Sequence, residues 1–540
     1  MAEPQDFIIR TEDVRPDAIL DLFVPIQRDR DLVEKLKSTT PLIIEGSRGT
    51  GKSLLLRVCE QELLKTFASD RVLPVYLSFA RSSLLNTNDP KQFQHWMLAS
   101  LCSRILRTIA QTGLVASPTS AVQALTGGSV GKLGEKTKLE MIAEQFEESY
   151  KSKQTEIDVS GLPTVDQFKD VIEDICVSLE IRRFDILFDE AAHIFRPEQQ
   201  RQFFTLFRDL RSPYMTCNAA VYPGVTAYGD SFESAHDAQI QSLNRDVTSS
   251  EYLTQMREIV FKQANSDLQA QIIRQGNVFA ALAYAVSGNP RLLLKTIALA
   301  GTISSREVER VIKEFFREAI WAEHSGLAER YPGHKALIDW GRSFVEQHVI
   351  PNMIERNAAW IKEGKPERTC FFWVHRDAPA AVKEALRLLM YTGIVTRLDS
   401  GVIATRSEIG TRYSVNIGCL AVPTPNPIAF INDLRKGLTV KRFTEYGANY
   451  QTFPEIAKIV GDKIEADVST ILGSLLEKPI TVLDISDYQQ RALASIKIET
   501  LGQALTSTEV DFMRADYIGP KRSRRIKNVV TAAVIEYLSG

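Results

Sequence analysis

The sequence lacks the cysteine patterns of metal sites and of disulfide scaffolds. Its six cysteines are scattered over 540 residues, with no CxxC pair and no histidine pair close to any of them. Structural zinc sites and disulfide-stapled domains need cysteines at short, regular spacings. The distribution therefore argues against both classes and is typical of a chain in a reducing compartment.

The sequence also lacks a long apolar run and an excess of charge of either sign. No uninterrupted apolar stretch reaches the ~18 residues that a membrane span needs, and the N-terminal MAEPQDFIIRTEDV is too polar and acidic for a signal peptide. The 65 Lys and Arg nearly cancel the 67 Asp and Glu, so any surface for nucleic acid must be local. We expect a soluble, cytoplasmic protein with no membrane partner.

Predicted strands and helices alternate over the first half of the chain. Apolar strands are predicted at 41–45, 72–79, 184–188 and within 214–222, with helical spacing of apolar residues between them. This alternation predicts a parallel sheet covered by helices on both faces. The chain is too long for a single core, so several domains are expected.

A glycine-rich segment after the first strand carries the strongest motif. Residues 46–53 read GSRGTGKS and fit GxxxxGK[ST] between a predicted strand and a predicted helix. Glycines let successive backbone N–H groups point at phosphate oxygens, and the helix start adds the positive end of its dipole. The alternative is an accidental glycine-rich turn. The sequence predicts binding of ATP with Mg²⁺, and the predicted nucleotide-binding residues here are Gly46, Ser47, Arg48, Gly49, Thr50, Gly51, Lys52 and Ser53.

Within this motif, Lys52 would reach the β- and γ-phosphates and Ser53 would ligate magnesium. Two acidic residues end the later apolar strand FDILFDE. Asp189 would hold the magnesium through water, and Glu190 would polarise a water molecule for attack on the γ-phosphate. Two solvated acids that cap a helix are the alternative interpretation. We predict Glu190, Asp189 and Lys52 as catalytic residues, and we interpret the nearby His193 as a packing residue.

The segment SGNPRLLLK at 287–295 predicts the start of a helix that faces the nucleotide. Asn289 is a good N-cap and Pro290 a good first helical residue. Arg291 then lies in the first turn, where the helix dipole disfavours a cation. An anionic partner such as the γ-phosphate would explain this position, whereas the alternative is a surface arginine whose charge stays in water.

With these three elements in order, the first three-fifths of the chain resemble the AAA+ ATPases of the origin-recognition/replication-initiator group. Residues 46–53 match Walker A, Asp189 and Glu190 match Walker B, and 288–291 match the sensor-2 start of the lid. The resemblance implies a RecA-like αβα core, a helical lid with ATP bound between the two, and a winged-helix domain downstream. The polar sensor-1 residue of the family cannot be assigned within 217–224.

No arginine finger is evident either, with Arg211 and Arg245 as candidates, so slow hydrolysis is expected. The predicted fold class is an α/β P-loop NTPase with a helical lid, a winged-helix-like domain and an all-α helix-hairpin-helix domain. The winged-helix-like domain would contain a hairpin-like segment at 394–421. The predicted domains are the P-loop AAA+ core at 1–245, the lid at 246–325, the winged-helix-like domain at 326–425, a connector at 426–474 and a tandem helix-hairpin-helix domain at 475–540.

The C-terminal segment carries the most distinctive charge cluster. Residues 516–527 read DYIGPKRSRRIK, and five of the seven residues 521–527 are basic. A Gly-Pro turn before a helix is typical of a helix-hairpin-helix, whose backbone N–H groups bind a DNA phosphate without reading sequence. A solvated helix face is the alternative. The predicted DNA-binding residues are Gly519, Lys521, Arg522, Arg524, Arg525 and Lys527.

Residues 475–540 as a whole resemble the C-terminal domain of the bacterial RNA polymerase α subunit, a tandem of helix-hairpin-helix elements. The matching words are KPI, LDIS, IETLG and IGPK. Tyr488 and Arg491 stand about where that family places an Arg and an Asn that contact DNA. A sequence preference is therefore not carried over.

We interpret the chain as a prokaryotic, initiator-like ATPase whose nucleotide state sets its grip on duplex DNA, which would bind through the C-terminal and winged-helix-like domains. The alternative is a STAND-type nucleotide switch that signals through a protein partner and uses the C-terminal module for docking. A metabolic P-loop kinase is a third interpretation, which the winged-helix and hairpin segments do not support. A protein partner and self-association both stay open.

Overall fold

The structure is a computed structural model. It describes residues 7–79, 90–114, 125, 137–148, 159, 161–191, 197–223, 226, 228–229, 232–233, 236–330, 334–405, 407–456, 476–483 and 485–539. The chain forms two compact units, the first from 1–245, 254–269 and 288–298, and the second from 246–253, 270–287 and 299–540. Among the described helices, none is long and apolar enough to cross a membrane.

The first unit is built on a parallel sheet of five strands in the order β2-β3-β4-β1-β5. The strands are β1 (Leu42–Glu45), β2 (Val72–Ser78), β3 (Arg183–Asp189), β4 (Met215–Val221) and β5 (Gln239–Ser242). β3 and β4 are buried at every position, as strands covered on both faces should be. The predicted α/β fold with a parallel sheet is confirmed.

Helices cover both faces of this sheet, and a separate apolar core lies on each face. The helices before the division between units are α1 (Ile19–Leu22), α2 (Gln27–Leu36), α3 (Lys52–Asp70), α4 (Pro90–Gln111), α5 (Lys138–Glu148), α6 (Val165–Ser178) and α7 (Pro197–Asp209). One core contains Trp96 of α4 and Phe203 of α7. The other contains Leu32 of α2 and Leu56 of α3, so α3 and the loop before it are anchored to the sheet.

A run of helices follows, as the sequence predicted, but the boundary between the compact units passes through it. Its members are α8 (Tyr252–Phe261), α9 (Ser266–Arg274), α10 (Gly276–Ala285), α11 (Pro290–Ala300) and α12 (Ser305–Glu314). Most of α11 belongs to the first unit, which also contains the glycine-rich segment 46–53, whereas α10 and α12 belong to the second. The five-domain division stays a prediction.

The second unit contains a sheet of four strands in the order β7-β8-β6-β9. They are β6 (Phe371–His375), β7 (Val395–Ile403), β8 (Ile409–Val415) and β9 (Thr444–Tyr446). β8 pairs antiparallel with β6 and β7, and β9 pairs parallel with β6. β9 lies in the segment that the sequence assigned to a connector, so that segment completes the sheet of its neighbour.

Helices alternate with these strands along the chain. They are α13 (Ile320–Ser325), α14 (Leu327–Arg330), α15 (Lys335–Phe344), α16 (Ile350–Lys362), α17 (Ala380–Tyr391), α18 (Ile417–Ala421) and α19 (Pro427–Gly437). Helix α18 shortens the hairpin that was expected to run to 421. The side chain of Asn416 accepts hydrogen bonds from the N–H groups of Gly418 and Cys419, which starts a helix directly after β8.

The C-terminal segment is helical, in agreement with the sequence. Its helices are α20 (Asp487–Ser495), α21 (Leu501–Thr506), α22 (Glu509–Phe512) and α23 (Pro520–Ser539). Ser486, Thr500 and Thr508 each close a reciprocal capping box at the start of α20, α21 and α22. These caps explain why three short helices form where propensity alone is weak.

Candidate functional site

The glycine-rich loop lies between the carboxyl end of β1 and the first residue of α3, Lys52. Gly49 and Gly51 have φ angles of 88° and 105°, which residues with a side chain rarely adopt. A side chain at Gly46 would place its Cβ 2.5 Å from Oγ1 of Thr50. That hydroxyl in turn donates to the carbonyl of Ser47 at 2.9 Å. The glycines of the motif are therefore required by the backbone path.

The ammonium of Lys52 is buried behind this loop. Nζ donates to the carbonyls of Gly46 at 2.6 Å and Ser47 at 3.1 Å, and it lies 4.1 Å from the ring centroid of Tyr222. Burial lowers the pKa of Lys52 to about 7, although the carboxylate of Asp189 acts in the opposite direction. An anion bound beside Lys52 would restore the charged form.

Asp189 is the last residue of β3 and Glu190 follows it, and side chains of the neighbouring strand β2 fix both acids. The hydroxyl of Tyr76 donates to Oδ2 of Asp189 at 2.6 Å, and the N–H of Glu190 donates to Oδ1 at 2.9 Å. The hydroxyl of Ser78 donates to Oε2 of Glu190 at 3.1 Å. Both carboxylates are thus oriented by hydroxyl groups that no sequence motif marks.

Glu190 has a left-handed backbone, with φ of 55°, which is uncommon for a residue with a side chain. Burial raises the pKa of its carboxyl group, and the neighbouring charge of Asp189 raises it further. A raised pKa makes a carboxylate a better proton acceptor near neutral pH. His193, three residues on, lies outside the described residues.

Helix α11 starts against the glycine-rich loop, as the sequence predicted. The side chain of Asn289 caps the helix by accepting from the N–H of Leu292 at 3.2 Å. The guanidinium of Arg291 donates from Nε to the carbonyl of Ile9 at 3.1 Å. Its charge also contributes to the lowered pKa of Lys52, so the two cations lie near each other.

One cavity of the first unit brings most of the predicted groups together. Its lining includes Arg48, Gly49, Gly51, Lys52, Ser53, Asp189, Glu190 and Arg291. Gly46, Ser47 and Thr50 are not part of the lining, and all three are buried. These three residues therefore contribute to the conformation of the loop without lining the cavity.

The N-terminal segment also lines this cavity, a contact that the sequence did not predict. Residues 8–12 line it together with Tyr222 and Gln263. The N–H of Ile8 donates to Oε1 of Gln263 at 2.9 Å. Because the contacts of Ile8 and Ile9 are made by backbone groups, no residue type in this segment could have marked them.

The residue that follows β4 and lines the cavity is Tyr222, not a polar amide. Asn218, four residues earlier within the strand, is fully buried. Its amide donates to Oδ1 of Asp185 at 2.7 Å and to the carbonyl of Leu36 at 3.0 Å. Asn218 is therefore a core residue, and Tyr222 occupies the end of β4 that faces Lys52.

The two arginine-finger candidates differ in exposure. The guanidinium of Arg245 is buried, pairs with Asp29 at 2.9 Å and donates to the carbonyl of Thr50 at 3.0 Å. An arginine finger must reach the γ-phosphate of a nucleotide, so these internal contacts argue against that role for Arg245, which stays untested. Arg211 is exposed just after α7 and stays a prediction.

In the tail, the predicted DNA-binding residues surround the start of α23. Gly519 precedes the helix, and Lys521, Arg522 and Arg525 are exposed. Arg522 donates to the carbonyl of Tyr517 at 2.7 Å, and the ring of Tyr517 is 82% exposed. Four predicted groups are therefore accessible to a ligand.

Two other basic residues of the cluster have partners within the tail. Arg524 lies 3.6 Å from the carboxylate of Glu509. Nζ of Lys527 donates to the carbonyls of Leu505 at 2.6 Å and Ser507 at 2.7 Å. Lys527 thus ties the end of α21 to α23, and a DNA contact by it would break these bonds.

Comparison with known proteins identifies one family over the first part of the chain. Residues 8–262 match a family model described as ORC-CDC6-like. No curated protein sequence matches the chain significantly. Among solved structures, the Aeropyrum pernix ORC1 protein in complex with DNA is 15% identical, covers 77% of this chain and 94% of its own, and has a TM-score of 0.32. The Aeropyrum pernix ORC2 protein in ADPNP-ADP complexes is 12% identical, covers 80% and 96%, and has a TM-score of 0.35. Scores this low support no conclusion about function.

Proposed function

We propose that the protein is an initiator-like ATPase that couples its nucleotide state to DNA binding, starting from the match of residues 8–262 to a family model described as ORC-CDC6-like. The observation that carries the proposal is the convergence of Lys52, Asp189, Glu190 and Arg291 on one cavity. They come from three segments far apart in the sequence. Two cations and two carboxylates around one cavity are what a triphosphate with its metal requires.

The nucleotide would bind with its phosphates against the loop 46–53. Lys52 now donates to two carbonyls of that loop, and phosphate oxygens are stronger, charged acceptors for the same protons. The guanidinium of Arg291 would contact the γ-phosphate from the start of α11. The carbonyl of Ile9, its present acceptor, belongs to the N-terminal wall of the cavity.

Ser53 and Asp189 would hold magnesium. The hydroxyl and carboxylate oxygens that they offer are the donors that this hard cation prefers. When bound, the ion would supply charge neutralisation across the β- and γ-phosphates. The hydrogen bonds from Tyr76 and from the N–H of Glu190 hold the Asp189 carboxylate in one orientation.

Glu190 would accept the proton of the attacking water. Its raised pKa supports this role. The hydroxyl of Ser78 already engages one of its two carboxylate oxygens. The other oxygen would accept the proton of water, and we propose slow turnover because the sequence shows no evident arginine finger.

DNA would bind at the start of α23. Lys521, Arg522 and Arg525 are exposed there on consecutive turns, and the helix start offers backbone N–H groups to a phosphate. Arg524 would join them by leaving Glu509. We assign Lys527 to the structure of the tail, since both of its observed acceptors are carbonyls of the tail itself.

A filter-binding measurement on duplex DNA with ATP, ADP or no nucleotide tests both sites and their coupling. We expect retention to differ between ATP and ADP by roughly 10–100-fold and to weaken steeply as salt rises. The double change Arg524→Glu with Arg525→Glu should abolish retention. The same charge change at two exposed lysines of the first unit, Lys35→Glu with Lys65→Glu, should leave it intact.

A second function is favoured by the apolar surface of the tail. Val510, Met513 and Tyr517, three large apolar side chains of the tail, are 62%, 38% and 82% exposed and would be available to a protein partner. In that case the chain would be a STAND-type switch in the cytoplasm that docks through its tail. DNA retention that is unaffected by the two Arg-to-Glu changes would favour this function over the first.

A further inference from the structure

Three consecutive carbonyl groups of the glycine-rich loop each accept a hydrogen bond from a residue outside the loop. Nδ2 of Asn289 donates to the carbonyl of Arg48 at 2.7 Å. The backbone N–H of Arg291 donates to the carbonyl of Gly49 at 3.3 Å. Nη1 of Arg245 donates to the carbonyl of Thr50 at 3.0 Å. The loop is therefore bound along its backbone by the start of α11 and by Arg245, three residues after β5.

These contacts are so close that glycine is required at two positions, Gly49 in the loop and Gly288 just before α11. A Cβ at Gly49 would lie 2.7 Å from Oδ1 of Asn289 and 2.8 Å from Cβ of Arg291. A Cβ at Gly288 would lie 3.0 Å from Cβ of Arg245 and 3.1 Å from its carbonyl oxygen. Both glycines also have positive φ angles, 88° and 83°. Part of the reason for glycine in the loop is thus a protein contact and not the phosphate.

Asn289 and Arg245 are themselves fixed. Both amide atoms of Asn289 are used, because Oδ1 caps α11 through the N–H of Leu292 while Nδ2 reaches the loop. Arg245 is held by a second hydrogen bond, from Nη2 to Oδ2 of Asp29 at 2.9 Å. The Asn289 residue and the Arg245 side chain are both buried, at 6% and 8% exposure. Neither side chain is part of the cavity lining.

We propose that Asn289 and Arg245 are positioning residues that hold the loop in the conformation that receives phosphate. In a trans peptide group, the carbonyl of one residue and the N–H of the next point in opposite directions. Holding the carbonyl therefore also fixes the direction of that N–H. Fixing the carbonyls of residues 48, 49 and 50 therefore orients the N–H groups of residues 49, 50 and 51. This inference rests on the proposed nucleotide site and adds that affinity depends on residues outside the cavity.

The effect should be the same for di- and triphosphates. The two side chains act through the loop backbone, which both kinds of nucleotide would contact. Arg291 differs, since its guanidinium lines the cavity and would contact only the γ-phosphate. A loss of affinity that is equal for ATP and ADP separates loop positioning from γ-phosphate sensing.

The test is a titration of the full chain with fluorescent MANT-ATP and MANT-ADP. In Asn289→Ser the hydroxyl can still cap α11, but it is too short to reach the carbonyl of Arg48. We expect Kd to rise about tenfold for both nucleotides, the factor that corresponds to one lost hydrogen bond in a buried site. Arg245→Lys, which keeps the charge opposite Asp29, should have a similar effect.

Asn265→Ser is the matched control. Asn265 also caps a helix of the first unit, by accepting from the N–H of Leu268 at 2.9 Å, and it does not line the cavity. Its substitution should leave both Kd values unchanged. A thermal unfolding curve of each variant without nucleotide checks that the fold persists.

The outcomes separate this inference from the proposed function. If the wild-type chain binds neither nucleotide, the nucleotide site itself is wrong. If the wild type binds and Asn289→Ser binds equally well, the positioning role is overturned while the site stands. A loss confined to MANT-ATP would also overturn it, because that result assigns Asn289 to the γ-phosphate.

Discussion

The phenol of Tyr76 donates a 2.6 Å hydrogen bond to Oδ2 of Asp189. Tyr76 lies on β2 and Asp189 at the end of the neighbouring β3. The guanidinium of Arg57, from α3, lies 3.5 Å from the centre of the Tyr76 ring. The side chain proposed to hold magnesium is therefore oriented by a strand neighbour, and that neighbour is covered by the helix that follows the P-loop.

Removal of this hydroxyl should weaken magnesium binding without unfolding the site. In Tyr76→Phe the ring still packs beneath Arg57, but Asp189 loses the partner that orients it. We expect the Mg²⁺ concentration that half-saturates MANT-ATP binding to rise roughly tenfold, as for other partners of metal ligands. Tyr252→Phe removes a comparable hydroxyl bond, to the carbonyl of Ala283 in the second unit, and should not change it. Equal Mg²⁺ dependence in both variants would contradict the role of Tyr76.

Nucleotide binding should take up a proton at alkaline pH. Without nucleotide the pKa of Lys52 is about 7 because the ammonium is buried, so at pH 8 the side chain is mostly neutral. Phosphate beside it favours the charged form and raises the pKa. Calorimetry at pH 8 in buffers of different ionisation enthalpy should give an uptake that approaches about one proton per nucleotide.

The uptake should fall at pH 6, where Lys52 is already charged. It should persist in Glu190→Gln, which removes the other group of the cavity whose pKa is shifted. Uptake that does not depend on pH would show that Lys52 is not the group that titrates.

Glu190→Gln should keep nucleotide affinity and slow hydrolysis. The amide preserves size and can still accept a hydrogen bond from Ser78, but it cannot accept the proton of water. Loss of a general base lowers kcat by roughly 100-fold or more, whereas Lys52→Ala should lose binding itself. Phosphate release is the measurement, with Glu258→Gln at an exposed position of α8 as the control. Full-rate turnover in the Glu190 variant would remove it from the base role.

The buried carboxyl of Asp185 should make the stability of the first unit decrease as pH rises. Asp185 is fully buried in the middle of the sheet, and burial raises its pKa to about 7. The folded chain therefore binds this proton more tightly than the unfolded chain. The stabilisation is fully present below the ordinary pKa of about 4 and is lost as pH rises through about 7.

Asp185→Asn removes this dependence. In urea unfolding, the stability of the variant relative to wild type should rise by on the order of 2 kcal/mol between pH 5 and pH 8. Asp31→Asn, at an exposed position of α2, should show no such change. A difference between Asp185→Asn and wild type that is the same at both pH values would contradict the assignment.

Sequence alone could predict those parts of the site where a residue's own chemistry is the signal. Lys52, Asp189, Glu190 and Arg291 were found because charged groups at motif spacings are rare by chance, and the structure brings all four to one cavity. The parallel sheet followed from apolar strands that alternate with helices. The functional roles of the four charged residues remain predictions.

The remaining features of the fold and of the site depend on contacts between residues that are far apart in the sequence. Ile9 contributes a carbonyl, which every residue has, so nothing in its identity indicates the contact with Arg291. Arg245 and Asp29 are 216 residues apart and form no local pattern. Strand β5 has only one apolar residue, Ile240, and its pairing with β1 makes it a strand. Such features follow from packing and not from local sequence.

The hydrogen bonds to the carbonyls of residues 48–50 have a consequence for dissecting the chain. A fragment cut after Arg245 would keep both Walker motifs intact and would look complete by sequence. It would nevertheless lack Asn289 and Arg291, two of the three donors to the loop. On the proposed function, the smallest piece that binds nucleotide must therefore extend past the beginning of α11, so the proposed ATP-recognising unit is built from separate stretches of the polypeptide.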